Sequence, residues 1–359
     1  MKKALRLLAL SIALVSVCFG DDVTDKLRKA AKQGDARAQF MLGDAHYFGT
    51  GVPKDFEESV KWYRKAADQG NAVAQFNLGD AHYFGTGVPT DFEEGVKWYR
   101  KAAEQGHVSA QNNLGAAYNN GEGVPKDVEE AMKWFRKAAD QGNANAQLNL
   151  GLACGRGEGM PMDRKEAVKW FRKAAEQGNA EAQFNLGDAH YFGTGVPTDF
   201  EEGVKWYRKA ADQGHVSAQF NLGVAYGSGL GAPKDSEEAV KWFRKAADQG
   251  NADAQFNLGA AYANGLGVSK DLEEAVKWWL KAAEQGNAEA QLNLGRMYHL
   301  GGGVRRDPVE AHAWANIAAL NGNKDSLKFR DAIEKQMTKE QIAEATNRAK
   351  EILATIKKP

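Results

Sequence analysis

Apolar residues along the chain recur at i, i+3/i+4 and i+7 and not in alternation, which predicts amphipathic helices. The pattern itself repeats every 36 residues. Leu42, Leu78, Leu114, Leu150, Leu186, Leu222, Leu258 and Leu294 each precede a glycine at that spacing. Trp62, Trp98, Trp134, Trp170, Trp206, Trp242, Trp278 and Trp314 keep it too. A fixed period of this length predicts a solenoid of stacked helical units, each burying its apolar face only against its neighbours.

The unit at 71–106 shows how one copy is built. Ala74, Leu78 and Ala81, flanked by Gln75 and His82, share one face of a helix A expected over Ala72 to Phe84. Gly79 interrupts it at a cost of about 1 kcal/mol relative to alanine. Every copy has this glycine, so a second helix backbone is expected to pass too close for a Cβ. Gly85-Thr-Gly-Val-Pro89 turns the chain, with glycine supplying a left-handed exit and proline barring continuation. Asp91 at N-cap and Glu94 at N3 then predict a capping-box start for helix B, which ends at Gly106. The Asp/Glu pair recurs from Asp55/Glu58 to Asp307/Glu310. Each helix should be about 13 residues, roughly 20 Å, long.

These signals divide the chain into eight repeats, 35–70, 71–106, 107–142, 143–178, 179–214, 215–250, 251–286 and 287–322. Residues 25–34 match the end of a repeat, and 21–34 read as an N-terminal capping helix. After Gly322 the pattern breaks into a helical cap over 323–359, with helices expected at Leu327 to Met337 and Lys339 to Ile356. Thr338 and Gln341 form a capping box for the second. Ala74 to Ala103 recurs letter for letter at Ala182 to Ala211, and the match resumes over Gln105 to Gln111. Identity at exposed as well as buried positions points to recent duplication of a three-repeat block.

The N-terminus reads as an export signal over 1–20. Lys2, Lys3 and Arg6 are basic, and the apolar run Leu7 to Phe19 is shorter than the roughly 20 residues that span a bilayer. Cleavage after Gly20 would give a periplasmic or secreted protein; lipidation at Cys18 and an uncleaved anchor are the alternatives. Only Cys154 would then remain, and one thiol cannot close a disulfide within the chain. Lys plus Arg and Asp plus Glu both total 47, so the chain lacks the basic footprint of bulk nucleic-acid binding.

The repeated residues resemble the Sel1-like repeat family, relatives of the tetratricopeptide repeats. The resemblance rests on Ala254-Gln-x-x-Leu-Gly-x-x-Tyr262, Gly265-x-Gly-Val268, Asp271, Ala275-Val-Lys-Trp278 and Ala282-Ala-x-x-Gly286, and covers about four-fifths of the chain. It implies an all-α, right-handed α/α superhelical solenoid and a scaffold or adaptor role in protein complexes. A secreted, cysteine-rich branch of the family, to which β-lactam binding or hydrolysis has been attributed, pairs cysteines in each repeat. This chain lacks those pairs, so that activity is not carried over.

Catalytic patterns are absent. The Gly-Thr-Gly and Gly-Arg-Gly-Glu-Gly runs follow helices and lack the Gly-Lys-Ser/Thr ending of a phosphate loop. No Ser-x-x-Lys, Gly-x-Ser-x-Gly or His-Glu-x-x-His occurs. Asp44 and His46 lie about 200° apart on a helix and cannot share an ion. His46, His82 and His190 therefore read as core residues in the family's tyrosine slot. Glu93 to Lys97 at i, i+4 reads as a solvated pair on helix B. No cofactor or metal is expected.

One surface remains. Positions 73, 77, 80 and 84 form a stripe of helix A on the side away from Leu78, the side that lines the concave groove in tetratricopeptide-like solenoids. Asn77, Asn113, Asn149, Asn185, Asn221, Asn257 and Asn293 hold one slot. Asp80, Phe84 and Asp188 lie beside it, in slots that vary among repeats. An asparagine ladder can pair with a peptide backbone while variable neighbours select side chains; alternatively, each Asn bonds locally. The expected function is a non-catalytic scaffold for protein or peptide partners. The alternative, from a different class, is an envelope hydrolase of β-lactamase or peptidoglycan-acting type.

Overall fold

In the second repeat the Asn71 side chain accepts a hydrogen bond from the Ala74 amide and opens a helix over Ala72–Phe84. Gly85, at φ 71°, closes that helix in the left-handed conformation that a Cβ disfavours. The Asp91 amide donates to the His82 carbonyl at 2.8 Å, folding the turn back on the helix end. The Asp91 side chain then accepts from the Glu94 amide and opens the next helix, Phe92–Glu104. Both helices have the 13 residues expected.

The computed structural model describes residues 21–356, among which are nineteen α-helices and no strand. The expected leader at 1–20, with Cys18, and the last three residues of the expected C-terminal cap lie outside the described residues. The described residues form two compact units, divided between Gln177 and Gly178. The first holds α1 (Asp21–Lys32), α2 (Ala36–Phe48), α3 (Phe56–Asp68), α4 (Ala72–Phe84), α5 (Phe92–Glu104), α6 (Val108–Asn120), α7 (Val128–Asp140), α8 (Ala144–Arg156) and α9 (Arg164–Glu176). The second holds α10 (Ala180–Phe192), α11 (Phe200–Asp212), α12 (Val216–Ser228), α13 (Ser236–Asp248), α14 (Ala252–Asn264), α15 (Leu272–Glu284), α16 (Ala288–Leu300), α17 (Pro308–Leu320), α18 (Lys324–Glu334) and α19 (Lys339–Thr355). From α2 to α17, even-numbered helices are helix A and odd-numbered ones helix B. None of the described helices is long and apolar enough to cross a membrane.

Each core layer needs three helices. In the first unit, Val60, Tyr63, Ala66 and Ala67 of α3 pack with Ala74, Leu78 and Ala81 of α4 and with Trp98 of α5. In the second, Val204, Ala210 and Ala211 of α11 pack with Ala218, Leu222 and Ala225 of α12 and with Trp242 of α13. A lone repeat would leave such a layer open to water, so the ends need covers. Ala31 of α1 joins Ala38, Leu42 and Trp62 at one end. Ala349 and Ile352 of α19 join Trp314 and Ile317 at the other.

The layers are also latched by glutamines. Gln75, buried on α4, donates to the Ala67 carbonyl of the preceding helix at 3.0 Å and accepts from Gln105 at 2.7 Å. Gln219 does the same with Ala211 and Gln249 in the second unit, at 3.1 and 2.7 Å. Gln75 thus fills a buried polar position whose donor and acceptor are both satisfied.

Three local expectations change. A Cβ on Gly79 would meet the Tyr99 ring first, at 2.6 Å, and the Gly95 carbonyl oxygen at 3.1 Å. The facing backbone comes close as expected, and an aromatic ring comes closer still, so both hold this position to glycine. Glu94 does not return to its N-cap. Its carboxylate accepts from the Trp98 indole at 2.8 Å and lies 3.5 Å from Lys97, so Lys97 pairs at i, i+3 with Glu94. Helix α18 starts at Lys324, because Asn323 occupies the same N-cap slot as Asn71 and its side chain accepts from the Ser326 amide. The box formed by Thr338 and Gln341 has both its reciprocal bonds.

Candidate partner-binding surface on helix A

The stripe on α4 divides by exposure. Val73 is 42% and Phe84 67% exposed, whereas Asn77 and Asp80 between them are half-buried. Helix geometry brings the four to one side, but only the two ends reach fully into water.

The half-buried middle is a three-residue node. Asp80 accepts the Tyr99 hydroxyl at 2.6 Å and the Asn113 amide of the next repeat at 3.4 Å. Asp44 accepts from Tyr63 at 2.6 Å and Asn77 at 3.5 Å. In the second unit Asp188 accepts from Tyr207 at 2.6 Å and Asn221 at 3.3 Å. Burial pushes the Asp80 carboxyl up to about 6 against these two bonds, which lower it. It raises Asp44 and Asp188 in the same direction. Desolvation disfavours the charged form, and hydrogen bonds to the carboxylate only partly offset it.

Other asparagines behave differently. Asn185 donates to the Glu181 carbonyl at 2.7 Å, and Asn257 to the Asp253 carbonyl at 2.8 Å, each one turn back on its own helix. Asn293 accepts from Arg296 at 3.5 Å. Asn149 is half-buried. The ladder is therefore not uniform: Asn77, Asn113 and Asn221 reach an aspartate across a repeat junction, while Asn185 and Asn257 turn inward.

A sequence signal for the node existed. Asp44, Asp80 and Asp188 occur only with Tyr63, Tyr99 and Tyr207, whereas Ala116, Leu152, Val224 and Ala260 occur with Phe135, Phe171, Phe243 and Trp279. A hydroxyl is present where there is a carboxylate to receive it.

The same three repeats carry an aromatic edge. Tyr83 meets Phe84 and Phe92 edge-on, with ring centroids 5.1 and 4.9 Å apart, and its hydroxyl donates to the Glu122 carboxylate. Tyr191 holds Phe192 and Phe200 the same way, at 5.2 and 4.9 Å. Gly95 makes room, since a Cβ there would lie 3.2 Å from the Tyr83 Cβ. Phe192 is 66% exposed, matching Phe84.

The outer face of helix B is polar and internally engaged. Lys101 sits over the Trp98 ring at 3.7 Å and Lys209 over Trp206 at 3.7 Å. An open groove lined by Phe200, Lys205, Arg208 and Tyr226 has its cations committed, Lys205 to Glu202 at 3.5 Å and Arg208 to the Tyr226 hydroxyl. His82 is buried with its Nε2 2.8 Å from Arg64, and burial lowers its proton affinity. Among the described residues, no group of three or more His, Cys, Asp or Glu side chains could hold a metal ion. Cys154 is buried, with its Sγ 3.1 Å from the Met160 sulfur.

Paired antiparallel helices, layers shared between successive repeats and covers at both ends define an all-α helical-repeat protein. The repeat sequence matches the Sel1 repeat model eight times, over residues 36–71, 72–107, 108–143, 144–179, 180–215, 216–251, 252–287 and 288–323. The chain belongs to the Sel1 repeat family. It is similar to a Sel1 repeat protein from Oxalobacter formigenes, with 36% identity, 89% of this chain and 92% of the other covered, and a TM-score of 0.64. It is also similar to a protective antigen of uropathogenic Escherichia coli displaying an SLR fold, with 35% identity, 92% and 87% coverage, and a TM-score of 0.51. No curated protein is significantly similar to it. Sel1 repeat proteins are generally protein-interaction scaffolds.

Proposed function

We propose that the chain is an exported, non-catalytic scaffold that holds protein or peptide partners along the helix-A stripe. One observation carries this reading: exposed large apolar side chains recur at stripe positions, as Met41, Phe48, Val73, Phe84, Phe192, Val224 and Leu300. None fills a core layer, and an apolar group left in water repeatedly on one stripe is the mark of an interaction surface. In this reading the stripe lines a concave groove, the asparagines that turn inward on their own helices open toward a bound backbone, and no cofactor takes part. Export rests on the leader at 1–20. The balanced charge supports a protein partner over nucleic acid.

Alanine at Asn185, Asn221 and Asn257 tests the stripe. Binding of an identified partner should weaken while the melting temperature holds for Asn185→Ala and Asn257→Ala and falls only by the lost Asp188 bond for Asn221→Ala; unchanged binding contradicts the reading. Turnover of nitrocefin or muropeptides by the purified protein, abolished by one substitution that preserves folding, would replace the scaffold with a hydrolase.

A further inference from the structure

The aromatic edges of repeats 1, 2 and 5 differ in one respect. In repeat 1 the chain supplies its own cation: the Lys54 ammonium lies 4.7 Å from the centre of the Phe56 ring, and Phe56 is only partly exposed. The equivalent position is Thr90 in repeat 2 and Thr198 in repeat 5. Elsewhere it is basic in Lys126, Lys234, Lys270 and Arg306, with Met162 the remaining case. Phe92 and Phe200 are correspondingly open, at 44% and 38% exposure. The next residue in each case is an exposed carboxylate, Glu93 at the first and Glu201 at the second, and Phe200 and Glu201 line one groove. An open aromatic face next to a carboxylate attracts a cation.

Given the scaffold reading above, we propose that repeats 2 and 5 each present a docking site for a partner segment that carries a lysine or arginine next to an apolar side chain. The cation takes the place over Phe92 or Phe200 that Lys54 takes over Phe56, and Glu93 or Glu201 balances its charge. The apolar neighbour covers Phe84 or Phe192. Because the residues of the edge lie in the duplicated block, the two sites share their rings, their threonine and their glycine, Gly95 or Gly203. Each unit therefore carries one site, and the chain is bivalent for one kind of segment. In the repeat that follows each site, Glu122 at the first is replaced by Leu230 at the second, so the first should favour the more basic segment.

A phage-displayed peptide library selected on the full chain tests this. Recovered peptides should carry Lys or Arg beside an aromatic or aliphatic residue, and calorimetric titration should give two peptides per chain. Thr90→Lys together with Thr198→Lys supplies the missing cations from within, in a slot where other repeats already hold a basic residue, so melting should not change. Peptide affinity should fall roughly tenfold or more, and Thr90→Lys alone should leave one site. Full affinity in the double variant, or one peptide per wild-type chain, overturns the inference. Peptides that ignore both threonines but are lost on alanine substitution at Asn185, Asn221 and Asn257 overturn it while leaving the scaffold reading intact. A chain that recovers no peptide removes both.

Discussion

Asp80→Asn should make the protein more stable at neutral pH and should not do so in acid. The carboxyl lies between Tyr99 and Asn113, where burial lifts it from an ordinary 3.8 to about 6. The folded chain thus binds this proton more tightly than the unfolded chain. Stability from the group is fully present below about 4 and is lost as pH rises through about 6. Each tenfold change in proton affinity is about 1.4 kcal/mol, so the ionised carboxylate carries a penalty of up to about 3 kcal/mol at pH 7.5. Water reaching this half-buried position reduces the net figure to about 1–2 kcal/mol. Asparagine keeps an oxygen that accepts from Tyr99 and Asn113 but has no charge to desolvate. Urea denaturation of wild type and variant at pH 4 and pH 7.5 isolates the effect, since the other carboxylates cancel in the difference. The variant should unfold at higher urea at pH 7.5 and at equal or lower urea at pH 4. Destabilisation of the same size at both pH values would refute the reasoning. Asp188→Asn, with Tyr207 and Asn221 in the same roles, repeats the experiment in the second unit.

Gln75→Ala should cost about 1–3 kcal/mol, because it removes the donor to the Ala67 carbonyl and the acceptor for Gln105; amide exchange should quicken first at the junction of α3 and α4. Gly79→Ala should cost about 1–3 kcal/mol by driving a Cβ against the Tyr99 ring. Adding Tyr99→Ala should make the double variant less unstable than the sum of the singles, a coupling read from a double-mutant cycle. His107 caps α6 by accepting the Ala110 amide at Nδ1, and burial lowers its proton affinity. Its contribution should be present above about 6.5 and lost as pH falls through the depressed value. His107→Asn, matching Asn71 in the preceding repeat, should flatten that part of the stability–pH curve.

Features fixed within one helix or turn were legible in the sequence. Gly85 and Asp91 act on backbone groups only a few residues away, so they locate the end of α4 and the start of α5 to the residue. Features that depend on a second helix were harder. Gln75 looked like a flank of the apolar face because its partners, Ala67 and Gln105, belong to other helices. Glu94 had two outlets of similar reach, and the Trp98 indole won over the N-cap amide. The helical angle of Asp80 alone predicts a place on an open stripe. The clue to its burial was the company of Tyr99, which a slot-by-slot comparison of the repeats supplies. Asn323 marks the start of α18 by the same register, one residue past the point where the apolar pattern stops.

Partners are held to engage helix A, its loop edge and the first turn of helix B that follows it, not the far end of helix B. Photocrosslinking with p-benzoylphenylalanine, introduced singly at Phe84, Phe192, Glu104 or Glu176, reads this directly with a peptide selected on the wild-type chain. Adducts should form from positions 84 and 192 and be absent from 104 and 176, which are exposed in the last turn of helix B. Adducts from 104 and 176 with none from 84 and 192 would contradict this account.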